Sequence, residues 1–247
     1  MCIVVIKKSG ILPPTKKTLR NCFDANPDGA GLMYNYKGRV IIDKGFFSFK
    51  SYWKRLQGLN FGIDDVVVYH FRIATAGGIN IQNCHPFPIS DNCQILGAPQ
   101  IETDIGLAHN GIINIPAEKG LSDTSTFIKS ALYGLKKDLL AKRSAVFNLV
   151  SLATKGSKLA FLYGAGEVVT TGDNWITEDS GLVFSNTSYQ EILWYKDKRY
   201  NAGFSWPDKW FKDGETDKST LYCTECGGEL LKVGNLYHCQ DCETVYE

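Results

Sequence analysis

The sequence predicts an α+β fold: sheets packed on one another with helices outside, an α/β/β/α arrangement, followed by a small C-terminal ribbon. Three observations lead there. Strand-like segments come first, two helix-like segments follow, and strand-like segments return. Hydrophobic residues make up 44% and charged residues 21% of the 247, a balance that favours a buried core over a disordered chain. Half of the 8 cysteines stand close to the C-terminus as two tight pairs. Periodicity by itself does not set the order of the layers. The length suits one main core with a smaller appendage, and the composition divides the chain into 1–193, a charged and aromatic linker 194–220, and a ribbon 221–247.

Each element has a local reason. Cys2–Ile6 is a short apolar run that reads as a buried strand, and Thr15–Phe23 reads as a helix ending before the turn-forming Asn26-Pro27-Asp28-Gly29. Gly31–Tyr36 and Val40–Asp43 form a hairpin around Lys37-Gly38. Ser51–Leu59 is helix-like, and Asp65–His70 is a strand leading into Arg72 and the Gly77-Gly78 break. Ile105–Ala108 and Ile112–Ile115 read as one strand interrupted by the polar triplet His109-Asn110-Gly111, an interruption that packing does not require. Ser122-Asp123-Thr124 opens a helix carrying Phe127, Ile128, Ala131, Leu132 and Leu135, and a second helix spans Ser144 to Ala153. Leu159–Tyr163, Glu167–Thr171 and Gly181–Ser185 return to strand character.

Charge narrows the partners. With 27 basic and 26 acidic residues there is no global field to draw nucleic acid or an anionic membrane. No apolar run approaches the ~20 residues that span a bilayer, and Lys7 and Lys8 follow too soon for a signal-peptide core, so a cytoplasmic location is expected.

Cys223-Thr224-Glu225-Cys226 and, twelve residues on, Cys239-Gln240-Asp241-Cys242 offer four thiolates to one tetrahedral ion, which suits structural Zn2+. The hairpin Leu230–Val233 and Leu236–Cys239 between them is too small to fold without metal, which makes the segment a zinc ribbon. His238 reads as a surface residue rather than a further ligand. Glu225, Glu229, Asp241, Glu243 and Glu247 outnumber Lys232, so the ribbon suits a structural or protein-docking role rather than nucleic acid. With four cysteines on the ion, no position is left open for catalytic water.

Cys2 stands where removal of Met1 would give it a free α-amine, a base with pKa near 7.7–8.0 beside a thiol near 8.5. A cysteine near the start of a chain is by itself most often chance. Its company changes that reading. Downstream come Asn26-Pro27-Asp28-Gly29-Ala30-Gly31, His70-Phe71-Arg72-Ile73-Ala74-Thr75, Asn83-Cys84-His85-Pro86-Phe87, Ala108-His109-Asn110-Gly111 and Ser122-Asp123-Thr124, in that order. Together these motifs resemble the class II glutamine amidotransferases, members of the N-terminal-nucleophile hydrolases. The resemblance covers about the first 190 residues, ending near Ser185-Asn186-Thr187.

The resemblance implies a four-layer α/β/β/α sandwich and a set of roles. Arg72 would grip the α-carboxylate of glutamine through its guanidinium fork, and Asp123 would receive the α-ammonium. Read alone, Arg72 is an ion-pair residue and Asp123 a helix cap or first-turn residue. Asn110 and Gly111 would form the oxyanion hole, although Asn-Gly alone reads as a hairpin turn. Thr75 and His85 fall at substrate-pocket positions, where the plainer readings are a turn hydroxyl and a buried histidine. Cys2 would attack the side-chain amide, ammonia would leave, and water would release glutamate from the thioester. One departure is Ile73, where the family often has tryptophan. No synthase domain follows, so nitrogen would pass to a synthase or ligase acting in trans, with the ribbon as a docking element. Two other readings stand beside this one: an N-terminal-cysteine hydrolase of another amide, which the Arg72–Asp123 pair disfavours, and a catalytically silent module that recruits a partner through the ribbon.

Overall fold

The computed structural model describes residues 2–74 and 78–190, together with the backbone of three short strands after residue 229. Two compact units result, Met1–Gln190 and Glu191–Glu247. Thr75, the expected linker 194–220, and Cys223, Cys226 and Cys242 lie outside the described residues.

The first unit is mixed α+β with antiparallel sheets. Its elements are β1 (Ile3–Lys7), α1 (Lys16–Ala25), β2 (Ala30–Tyr36), β3 (Arg39–Phe46), α2 (Phe49–Leu59), β4 (Val67–Phe71), β5 (Phe87–Pro88), α3 (Cys93–Gly97) and β6 (Gln100–Thr103). They continue with β7 (Ile105–Asn110), α4 (Asp123–Phe127), α5 (Lys136–Leu140), α6 (Ser144–Ala153), β8 (Lys158–Tyr163), β9 (Val168–Thr171), β10 (Ile176–Thr177) and β11 (Val183–Phe184). One sheet has the order β10-β11-β1-β4-β2-β3-β6 and the other β5-β7-β8-β9.

Strand alternation explains where the core sits. Successive side chains point to opposite faces, so a fully buried strand feeds two cores at once. In the first sheet Ile3, Val5, Val67, Tyr69 and Phe71 pack with Leu19 and Phe23 of α1 and Phe49, Tyr52 and Leu56 of α2. Val4, Ile6 and Val68 instead join Met33, Val40 and Ile42 against Ala108, Ala160 and Leu162 of the second sheet. The opposite faces of β7 and β8, through Ile105, Leu107, Leu159 and Phe161, pack with Phe127, Ile128, Leu132, Val146 and Val150. Small residues let the sheets approach: a Cβ on Gly106 would stand 2.7 Å from the Met33 sulfur.

Several expected boundaries shift for identifiable reasons. Helix α2 begins at Phe49 because the Ser48 hydroxyl accepts from Ser51 N at 3.2 Å, and α1 is capped likewise by Thr15. Lys37 and Gly38 both have positive φ, 48° and 77°, the geometry of a tight hairpin turn. The interrupted strand expected across His109-Asn110-Gly111 is not found. Strand β7 continues through Asn110, which pairs with Lys158. Gly111 then turns the chain at φ 147°, and Ile112–Ile115 is not a strand. The helix opened by Ser122 changes pitch after Phe127, where Tyr133 N donates to Ile128 O at 2.9 Å across a π-type turn at Ile128–Leu132.

In the second unit, β12 (Leu230–Val233) pairs antiparallel with β13 (Leu236–Cys239), and β14 (Val245–Tyr246) pairs with β13. The hairpin strands stand at the residues expected from sequence. Among the described residues, no helix is long and apolar enough to cross a membrane, and no group of three or more His, Cys, Asp or Glu is arranged to hold a metal.

Candidate functional site

One end of the seam between the two sheets gathers the polar residues singled out above. The β1–β4 register pairs Ile3 with Phe71 and Val4 with His70, so Cys2 and Arg72 follow one step beyond the last pair. By alternation both share the strand face that Val4 and His70 present to the second sheet. Asn110 ends β7 on the matching face with Ala108. The result is a small pocket lined by Cys2, Arg72, Ile73, His85, His109, Gly111, Ser122, Asp123 and Thr124.

The Asn26–Gly29 loop fixes the end of β4. Asp28 N donates to the Arg72 carbonyl at 2.9 Å, Arg72 N donates to Gly29 O at 2.8 Å, and Ala74 N donates to the Asp28 carboxylate at 2.8 Å. The Arg72 guanidinium donates to Gly78 O at 2.7 Å and is almost fully buried. Cys2 is half-buried, and its thiol lies 3.6 Å from the Ile73 carbonyl. Burial pushes the Cys2 thiol up, opposed by backbone hydrogen bonding at Ile73 and by the positive charge of Arg72. A thiol held in its neutral form needs a base at the moment it attacks.

Asp123 lies in the first turn of α4, and Ser122 is the cap, accepting from Ser125 N at 3.1 Å. The Asp123 carboxylate accepts from Ile113 N at 2.8 Å and from Thr124 N at 2.7 Å, tying the segment after Gly111 to the helix. Gly111 has no alternative at its position. Its φ of 147° disfavours any side chain, and a Cβ there would collide with Ser157. Asn110 contacts the Ser185 hydroxyl at 2.9 Å through its amide, whose other polar atom is buried without a partner among the described residues.

Three histidines cluster at the pocket, His85 and His109 in its lining and His70 stacked on His85. His70 and His85 stack with centroids 4.3 Å apart, and His109 lies 6.1 Å from His85. The His70 Nε2–H donates to the His109 carbonyl at 2.9 Å, crossing from one sheet to the other. The Thr124 hydroxyl meets His109 Nδ1 at 2.7 Å and His85 Nε2 at 3.1 Å. Burial holds all three rings neutral. It lowers His70 to about 3, opposed by the hydrogen bond to the His109 carbonyl and reinforced by the charges of His109 and Arg72, and puts His85 well below its ordinary value, reinforced by His70, His109, Arg72 and Lys44. Burial also lowers His109, opposed by the Asp123 carboxylate.

Of the residues expected from sequence, Cys2, Arg72, His85, Gly111 and Asp123 line one pocket, and Asn110 adjoins it. Thr75 lies outside the described residues. Sequence reasoning assigned no role to Thr124, Ser185 or Asn186. The Asn186 amide donates to the Cys2 carbonyl at 2.7 Å. Thr124 and His109 stand within the quoted motifs, and Ser185-Asn186 marks the end of the resemblance, but nothing local gives any of them a role. No protein-family model matches the chain, and a search of curated proteins finds no match either.

Proposed function

We propose that the first unit is a glutaminase-type domain of the class II glutamine amidotransferases, with the four-layer α/β/β/α sandwich of the N-terminal-nucleophile hydrolases. The observation that carries this is the convergence of five residues nominated from separate motifs onto the lining of a single pocket. Chance placement of a lone cysteine does not account for an arginine, a carboxylate and a glycine sharing the lining with it.

In this reading glutamine is held at its α-carboxylate by Arg72 and at its α-ammonium by Asp123. The amine freed by removal of Met1 takes the Cys2 proton as the sulfur attacks the side-chain carboxamide. The oxygen of the tetrahedral intermediate is met by the Asn110 amide and the Gly111 N–H, each donor of this kind being worth ~2.7–4 kcal/mol. Ammonia departs, and water then releases glutamate from the thioester. Neutral His85 and His109 beside the pocket keep its interior free of added positive charge, so the ammonium of the substrate is not repelled.

The ribbon is read as a structural zinc unit held by Cys223, Cys226, Cys239 and Cys242 that docks a synthase or ligase receiving the ammonia. The β12–β13 hairpin, whose register pairs Leu230 with Cys239, fits such a unit. When bound, zinc would supply folding energy to this unit and no chemistry to the pocket. The test combines intact mass with glutamate release by the wild type and by Cys2→Ala. The expected result is a chain beginning at Cys2 that hydrolyses glutamine and a variant that does not. A chain that begins at Cys2 yet releases no glutamate, even with its acceptor enzyme present, sinks the reading.

A further inference from the structure

We infer that Ser185 is a positioning residue that orients the Asn110 amide so that its N–H groups, rather than its oxygen, face the developing oxyanion. The inference rests on the glutaminase reading for its kinetic consequence, but its geometric content stands on the hydrogen bonds alone.

The hydroxyl of Ser185 lies 2.9 Å from Val4 N and 2.9 Å from the terminal amide of Asn110. Val4 N is a donor only, so it occupies one acceptor lobe of the hydroxyl. With the Asn110 nitrogen placed against Ser185, the hydroxyl accepts twice and its own proton has no acceptor among the described residues. The Asn110 oxygen is then buried with no partner as well. Exchanging nitrogen and oxygen, which have nearly the same shape, gives the hydroxyl proton an acceptor and turns the position left without a partner from an acceptor into a donor. The Ser185 proton then goes to the Asn110 oxygen, Val4 N–H still donates to Ser185, and the amide nitrogen takes the position left without a partner. Buried polar groups are rarely unsatisfied, and here the hydroxyl is fully paired while the amide N–H groups alone await an acceptor, which an oxyanion would supply. The exchange leaves the amide with donors and no acceptor to offer, which is what a negative oxygen requires.

Ser185 is itself fixed. Its N–H donates to Val4 O at 2.9 Å, and Lys158 Nζ donates to its carbonyl. Its neighbour Asn186 holds the Cys2 carbonyl. The dipeptide thus aligns the nucleophile through one residue and the oxyanion donor through the other, across 184 and 75 positions of sequence.

The test uses the full chain with its start at Cys2 verified by mass, comparing the wild type with Ser185→Ala, Ser185→Cys, Ser185→Thr, Asn110→Ala and the Ser185→Ala/Asn110→Ala double variant. Ser185→Ala should lower kcat for glutamine roughly 100-fold while KM changes less than about threefold, since a misaimed donor matters chiefly in the transition state. Ser185→Thr keeps the hydroxyl and should recover most of kcat. Ser185→Cys, close in volume and a poor donor, should behave like Ser185→Ala and covers the case in which the alanine variant fails to fold. The double variant should be no slower than Asn110→Ala. In parallel, selective 15N-asparagine labelling reads the Asn110 side-chain amide, assigned by its loss in Asn110→Ala; its resonances should shift or broaden in Ser185→Ala and return in Ser185→Thr. Wild-type kcat in both Ser185→Ala and Ser185→Cys, additive losses in the double variant, or an unmoved Asn110 amide overturns the inference. A wild type that releases no glutamate overturns the function instead, and the amide resonances still decide the role of Ser185.

Discussion

Acidification should destabilise the first unit through the three buried histidines at its pocket. His70, His85 and His109 are buried and held neutral, with His70 lowered to about 3. In the unfolded chain each returns to about 6.5 and takes up a proton readily. The unfolded state therefore binds more protons below that value, and stability present above it is lost as the pH falls, levelling off only below the folded values. Between pH 7 and pH 5 a ring that stays neutral in the fold loses about 2 kcal/mol of stabilisation. His70 gives about 2 kcal/mol of this, His85 adds in the same direction, and His109 adds less because Asp123 favours its protonation. Urea titrations at the two pH values should show this as a fall in midpoint, about 1 M for each 2 kcal/mol at a slope near 2 kcal/mol/M. Because carboxylates elsewhere also respond to acid, the comparison that isolates the effect is His70→Gln, which keeps a donor toward the His109 carbonyl. Its loss between pH 7 and pH 5 should be smaller than that of the wild type by about 2 kcal/mol. Equal losses in the two proteins, or a His70 ring that titrates near 6.5 in the native state by NMR, would refute the reasoning.

Other outcomes follow from the same geometry. Gly111→Ala forces a side chain to φ 147° against Ser157, and should lower stability by more than about 1 kcal/mol in thermal unfolding and abolish glutamate release. Arg72→Lys replaces a planar fork with a point charge; KM for glutamine should rise roughly tenfold or more, with a smaller change in kcat, in steady-state assays. Ser122→Ala removes the α4 cap and should reduce stability by ~1 kcal/mol, read from urea midpoints. Metal analysis should find about one zinc per chain, and chelation should leave glutamine hydrolysis intact, because the proposed ligands lie in the second unit and the pocket in the first.

Much of the fold was legible because local chemistry and tertiary structure agree. Helix α6 spans Ser144–Ala153 as its apolar periodicity indicates, and the β2–β3 hairpin turns at Lys37-Gly38. Strand β6 was missed because its sequence, Gln100-Ile101-Glu102-Thr103, has little apolar signal; it exists by pairing with β3 at the sheet edge. Helices α3 and α5 are each five residues long, too short for periodicity to register. The polar triplet after Ala108 was read as a break in a strand, whereas the ladder to β8 carries His109 and Asn110 and only Gly111 departs. At the site, motif residues could be nominated because their chemistry is unusual for their surroundings. Thr124 could not be assigned, since its meaning lies in a hydroxyl on α4 shared by two rings, one on β7 and one in the segment before β5. Ser185 was equally silent: a serine at a strand end is ordinary until Val4 and Asn110 are seen to meet on it.

The joining of β1 to β11, with Val5 opposite Phe184, bears on when the pocket first exists. During synthesis Cys2 emerges from the ribosome before any of its companions. The groups that hold its carbonyl and reach the Asn110 amide come from residues 185 and 186, so they arrive only after almost the whole first unit has been made. A nascent chain would carry an accessible thiol with no aligned partners. Competence would therefore switch on late and abruptly, and a chain shortened before Ser185 should retain the cysteine, the arginine and the carboxylate while lacking a working arrangement of them. Pairing over such a separation in sequence also makes closure of this edge a slow step, since distant contacts carry the largest loop-closure entropy.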